Sequence, residues 1–147
     1  MSDFEKGIIN AAAEVYPEAE IKCCFFHLGQ ALYKRVQESG LQGKYNDPDD
    51  RRIKECTHML LSLAFVPVDD VRESFTLLKR TWGEDDDFQP VVRYFEETYV
   101  NGTPGRGRHP AVPATYAPNI WIHYQSALDR THKTNDVSET MKGMSVF

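Results

Sequence analysis

The chain has 147 residues, of which 41% are hydrophobic, and a formal net charge of −5. The length suits one domain with a real core, while the acidity disfavours strong nucleic-acid binding by the chain alone, because phosphate contacts dominate such affinity; a local basic patch stays compatible. No apolar run approaches the roughly 18 residues of a membrane span, the start "MSDFEKGIIN" lacks the basic-then-apolar pattern of a signal peptide, and three cysteines, two of them adjacent, make no disulfide framework, so a reducing compartment, cytosol or nucleus, is expected.

Residues 3–15 read as a helix with Phe4, Ile8, Ala11, Ala12 and Val15 on one face. Ser2 and Glu5 fit a capping box at its start, and Pro17 ends it. The stretch "AEIKCCFF" has the apolar, aromatic and alternating character of a short buried strand. Residues 27–38 return to helix, with Leu28, Ala31, Leu32 and Val36 inward, and Ser39-Gly40 stops it. After a loop over 40–50, three helices are predicted. The first covers 49–65, with Ile53, Cys56, Leu60 and Leu61 on one face. The second covers 68–82, with Val71, Phe75, Leu78 and Trp82. The third covers 87–100, with Phe88, Val91, Val92, Phe95 and Tyr99. Residues 101–114, "NGTPGRGRHPAVPA", are rich enough in glycine and proline to be loop. A helix over 118–128 follows with Trp121, Tyr124 and Leu128, and Asp136 with Glu139 fits a capping box opening a last short helix. The expected class is mainly α with one short strand. A lone strand cannot satisfy its own backbone groups, so it should pair with something, or the chain starts partway into a fold.

Several residues could carry chemistry. Cys24 and His27 form a Cys-x-x-His pair whose thiolate and imidazole suit zinc, but a structural site takes four ligands. The other candidates, Cys23, Cys56, His58, His109, His123 and His132, form no second spaced pair. The plain alternative is a buried strand ending at a helix start. Asp3 and Glu139 fall at first turns of predicted helices, where the dipole favours a carboxylate. The run "GEDDD", residues 83–87, reads as a solvated linker and helix cap. Arg106, Arg108 and His109 make "GRGRHP" a basic, flexible loop. It could contact DNA phosphates, or it could be an ordinary exposed loop.

The segments "SDFEKGIINA", "EIKCCFFHLGQALYKRVQ" and "WIHYQSALDRTHKTNDVSE", in that order and spacing, resemble the transposase domain of Mutator-like elements over nearly the whole chain. The resemblance implies a ribonuclease H-like catalytic core interrupted by a helical insertion. It matches Asp3 to the family's second catalytic aspartate and Glu139 to its catalytic glutamate. Cys24 and His27 match its Cys-x-x-His motif beside the active site. Trp121, Tyr124, Thr134 and Asn135 match the helix and segment that precede the glutamate. Two positions depart from the family: Thr140 stands where glycine is usual, and Asp136 where a second asparagine is common.

By this resemblance residues 1–39 are a remnant of the core, 49–100 the helical insertion, and 115–147 the C-terminal helices. The first catalytic aspartate would lie upstream of this chain. The parent enzyme would cut and join DNA with Mg²⁺ or Mn²⁺ held by Asp3, Glu139 and that upstream residue, since these ions take hard oxygen ligands. The 147 residues alone are then expected to be inactive. DNA is the implied partner in the parent context, with self-association as a further candidate and no membrane. Two alternatives stand beside this reading. One is a small helical protein-interaction module in which Asp3 and Glu139 are only caps. The other is a helical domain stabilised by zinc at Cys24 and His27.

Overall fold

The computed structural model describes residues 24–83 and 86–129, together with positions 7, 10, 11, 14, 15 and 17. Gly7, Asn10, Ala11, Glu14 and Val15 are helical and Pro17 lies in a turn, in line with the predicted first helix. Its predicted inward face is not borne out at Ala11 and Val15, which are both exposed. Among the described residues the core begins at Phe25 and includes neither.

Helix α1 spans Phe25–Glu38. Here the structure corrects the end of the predicted strand, because Phe25 and Phe26 belong to the first helical turn, while its residues 19–23 lie outside the described residues. The reason is periodicity. Phe25, Leu28, Leu32 and Val36 are buried at helical spacing, and the helix satisfies its own backbone from the first turn, where Leu28 N–H donates to Cys24 C=O at 3.1 Å. The helix ends in a Schellman motif. Gly40, at φ 76°, donates to Gln37 C=O at 3.0 Å, and the buried Leu41 donates to Val36 C=O at 3.0 Å.

A short helix α2, Gln42–Tyr45, buries Tyr45. Helix α3, Arg52–Ser62, buries Ile53, Cys56, Thr57, Leu60 and Leu61, and continues as a 3₁₀ turn over Leu63–Phe65. Thr57 stays satisfied by donating its hydroxyl to Ile53 C=O at 2.7 Å. Beyond Pro67 a second 3₁₀ turn, Val68–Asp70, leads into α4, Val71–Thr81. Helix α5, Gln89–Phe95, runs on into a π-turn at Glu96–Val100. The three helices predicted over 49–100 are therefore present, each with a change of pitch at one end.

The predicted helix over 118–128 is broken in two. Helix α6 is Pro118–Trp121 and α7 is Tyr124–Asp129. The break lies at Ile122, which is extended (ψ 129°) and buried, and His123 N–H leaves the helical ladder to donate to Ala64 C=O at 2.6 Å. One apolar cluster runs through the described residues from Phe25 to Ile122. At its centre Phe95 packs on Phe75 (6.1 Å between ring centroids) and on Trp121 (5.5 Å). The fold is mainly helical. Among the described residues there is no strand, only two isolated antiparallel bridges, so the sheet of a ribonuclease H-like core has no counterpart among them.

Candidate nucleic-acid interface

Two regions hold sequence-predicted site residues. At the first, Cys24 caps the start of α1 without a side-chain bond to its amides, and His27 lies in the first turn; both are exposed. Buried Phe25 lies between them in sequence. Its ring meets Phe65 at 5.1 Å and stands edge-on to His123 at 6.4 Å and 89°. The beginning of α1 and the segment leading into α7 therefore meet at one end of the body. Among the described residues no three His, Cys, Asp or Glu side chains lie close enough to hold a metal ion, so Cys24 and His27 recruit no such set there. Cys56 is buried under Arg52 and Trp82, and burial pushes its thiol pKa up, which makes it a core side chain and not a nucleophile. His58 is pushed down by burial and by Lys54 and Arg51.

Of the family-matched residues, Trp121 is fully buried and structural. Its indole N–H donates to Tyr99 C=O at 2.8 Å. Tyr124 is half-buried. Asp3, Thr134, Asn135 and Glu139 lie outside the described residues, as do both predicted capping boxes.

The second region is residues 101–114. It holds no strand, in line with the loop reading, but two isolated antiparallel bridges fold it into a hairpin-like arm. Thr103 and Val112 exchange both backbone hydrogen bonds, at 2.8 and 2.9 Å, and Arg106 and His109 do the same at 3.0 and 2.9 Å. Gly107 at φ 57° occupies the first central position of the two-residue turn, the place where a II′ hairpin turn calls for glycine. The sequence signal was therefore present. An Arg-Gly-Arg-His turn flanked by residues able to pair reads as a hairpin, and the glycine and proline content hid it.

The arm is clamped at its base. The π-turn aims Asn101 and Gly102 N–H at Glu96 C=O, at 2.8 and 3.2 Å. Glu96 also accepts from Asn101 Nδ2 at 3.1 Å and from Lys79 Nζ at 2.6 Å. Gly102 is at φ 74°, and a Cβ there would come within 2.1 Å of Val112 C=O, so the two strands close over a position that only glycine fits. On the returning side Tyr116 N–H donates to Thr98 C=O at 2.9 Å, and its ring stacks on Tyr99 at 5.6 Å and 19°. At the far end Arg106, Arg108 and His109 are all exposed.

Charge is segregated around this arm. The sequence holds 22 aspartates and glutamates, yet none between Thr98 and Leu128. Elsewhere several acids and bases are paired. Arg52 forks onto Asp86 through both guanidinium nitrogens and also reaches Asp87, which Lys44 holds from the other side. Hydrogen bonding from Lys44, aided by Arg52 and opposed by partial desolvation, holds the Asp87 carboxyl down at about 2. Asp86 in addition accepts from Phe88 N–H at 2.8 Å ahead of α5. The predicted linker is thus a cap and an ion-pair clasp together. The two tip arginines, by contrast, make no ion pair among the described residues.

Comparison of the chain with protein-family profiles, with curated proteins and with solved structures returns no match.

Proposed function

We propose that the chain is a fragment of a Mutator-like DNA transposase, inactive alone, in which residues 49–100 are the helical insertion of the parent's catalytic domain and the segments on either side of it border that insertion. The observation that carries this reading is the closure of the body at one end, where Phe25 packs against His123. An insertion must leave its host domain and return to it at nearly the same point, which adjacent chain ends permit. Phe25 lies inside "KCCFFH" and His123 inside "WIHYQ", the two motifs that flank the insertion in the family this sequence resembles. The ribonuclease H-like core would then be built from segments outside the described body, including Asp3 and Glu139. Two carboxylates are hard oxygen donors suited to Mg²⁺ or Mn²⁺. When bound, such ions would supply activation of the attacking oxygen and stabilisation of the leaving one. Asp3 and Glu139 would hold them, with Cys24 and His27 near the same edge of the site.

A small helical interaction module is the competing reading, favoured by the absence of any strand from the described residues. Nicking of supercoiled plasmid with Mg²⁺ or Mn²⁺ separates the two. The purified 147-residue chain should not nick. A longer chain carrying the in-frame upstream segment should nick, and Glu139→Ala should abolish it. Glu139-dependent nicking by the short chain, or none by a folded long chain, would sink the proposal.

A further inference from the structure

We infer that the 103–112 arm is a preformed, sequence-independent contact for the backbone of duplex DNA, and that through it this acidic chain binds DNA even without catalysis. The inference deepens the transposase reading and rests on it only for the choice of DNA among polyanions. Three features of the arm carry it. Its tip presents two exposed arginines two residues apart, which a two-residue turn holds together. Arginine is the side chain whose planar fork fits phosphate oxygens bidentately. Those two arginines make no ion pair among the described residues, a state they share with Arg72, Arg80 and Arg93, so it is their place together at one turn that marks them. Finally, no acid occurs from Thr98 to Leu128, so the arm carries no negative charge of its own to repel a phosphate chain. Repulsion from the rest of the chain falls off over a Debye length of about 8 Å at physiological salt, and the arm gains from that screening.

Rigidity matters as much as charge. A floppy basic loop loses conformational freedom on binding. This arm is held at its base by Glu96 C=O on one side and by the Tyr116 stack on the other, and Pro104, Pro110 and Pro113 fix further backbone angles. The freedom is already lost on folding. Arginines that fork onto phosphate oxygens position a protein on the duplex without specifying its base sequence.

The test is fluorescence anisotropy of the full 147-residue chain with a labelled 20-base-pair DNA duplex, titrated at several salt concentrations. Each phosphate contact contributes roughly 0.9 to the slope of log K against log salt, so losing two lowers it by about 1.8. Over a rise from about 50 to about 200 mM salt, wild type should therefore lose about 12-fold more affinity than R106A/R108A. Both substituted side chains are exposed, and an unchanged thermal melt confirms that the fold is kept. R72A/R80A, removing two exposed arginines of α4, should leave the slope nearly as in wild type. An equal loss in both variants overturns the assignment to the arm, and so does an unchanged slope in R106A/R108A. No DNA binding at about 50 mM salt overturns the inference outright, while leaving the nicking test of the longer chain to decide the transposase reading. Binding to polyglutamate, or to duplex RNA, tighter than to DNA, and weakened by R106A/R108A, overturns DNA as the partner.

Discussion

Replacing Trp121 by phenylalanine tests how the helical body is closed. The indole is fully buried, packs edge-on to Phe95, and donates to Tyr99 C=O at 2.8 Å. Tyr99 lies in the π-turn near the end of a helix, where backbone carbonyls lack intrahelical partners. The indole supplies the missing donor from another segment. Phenylalanine keeps an aromatic ring there but has no N–H, so a buried carbonyl loses its partner, at a cost of about 1–3 kcal/mol. The smaller ring leaves a void. At roughly 24 cal/mol per Å³, a void of about 30–40 Å³ adds just under 1 kcal/mol. The expected loss is thus about 2–4 kcal/mol, a large part of a typical domain's 5–15. For a urea slope of about 2 kcal/mol per molar the midpoint should fall by about 1–2 M. Amide exchange supplies a local readout, since Asn101 and Gly102 N–H, both bonded to Glu96 C=O, should exchange faster. A loss below about 0.5 kcal/mol would mean that the indole is not the carbonyl's partner, because even a lone missing donor exceeds that.

Two further outcomes follow from the packing and the charge clasp. Phe75 is buried and stacks on Phe95 at 26°, so Phe75→Ala should cost about 3–5 kcal/mol in a denaturant titration. A value near zero would show that the face is exposed. The Asp87 carboxyl is held down at about 2 by Lys44 and Arg52, below its unfolded value of about 3.9. Its contribution is therefore complete above about pH 4 and lost as pH falls from there towards 2. The side chain is about one-third exposed, so solvent screening keeps the effect small. Asp87→Asn should flatten the acid limb of a stability–pH curve in that window, and an unchanged limb would show that the clasp does not form in solution.

Helix existence was legible because buried residues recur at helical spacing. Ile53, Cys56, Leu60 and Leu61 on α3, and Val91, Val92 and Phe95 on α5, are buried as their periodicity implies. Misreadings came where tertiary contacts overrode local pattern. "KCCFF" is apolar and aromatic over too short a run for period 2 to be told from 3.6, and Phe25 proved to be the first core residue of α1. The break at Ile122–His123 has no local signal. It exists because Ala64, 59 positions earlier, offers its carbonyl to His123 N–H. The arm was hidden by composition, since glycine and proline mark turns of every kind. Here Gly102 and Gly107 set one particular hairpin. Of the candidate site, the basic tip was legible as charge, but its rigidity rests on Glu96 and Tyr116, which only the folded chain brings to its base.

The two functional readings part at the end of the body where Phe25 meets His123. Adjacent ends are common among domains, so closure alone would fit a free-standing helical module equally well. Its weight comes from which residues make it. A free module would be expected to close on whichever core residues its terminal helices supply. Here the contact is between the two motifs that border the insertion in Mutator-like transposases, and the break after Trp121 is what brings the second motif there. Had residues 118–128 formed one helix, His123 N–H would have bonded within the helix, not to Ala64 C=O. The exposed Cys24 and His27 at the same end lead back towards the N-terminal segment that holds Asp3, while α7 leads on towards Thr134, Asn135 and Glu139. On the proposed transposase reading, that end of the body is where the chain would leave and re-enter the catalytic core, and Asp3 and Glu139 would lie beyond it on either side.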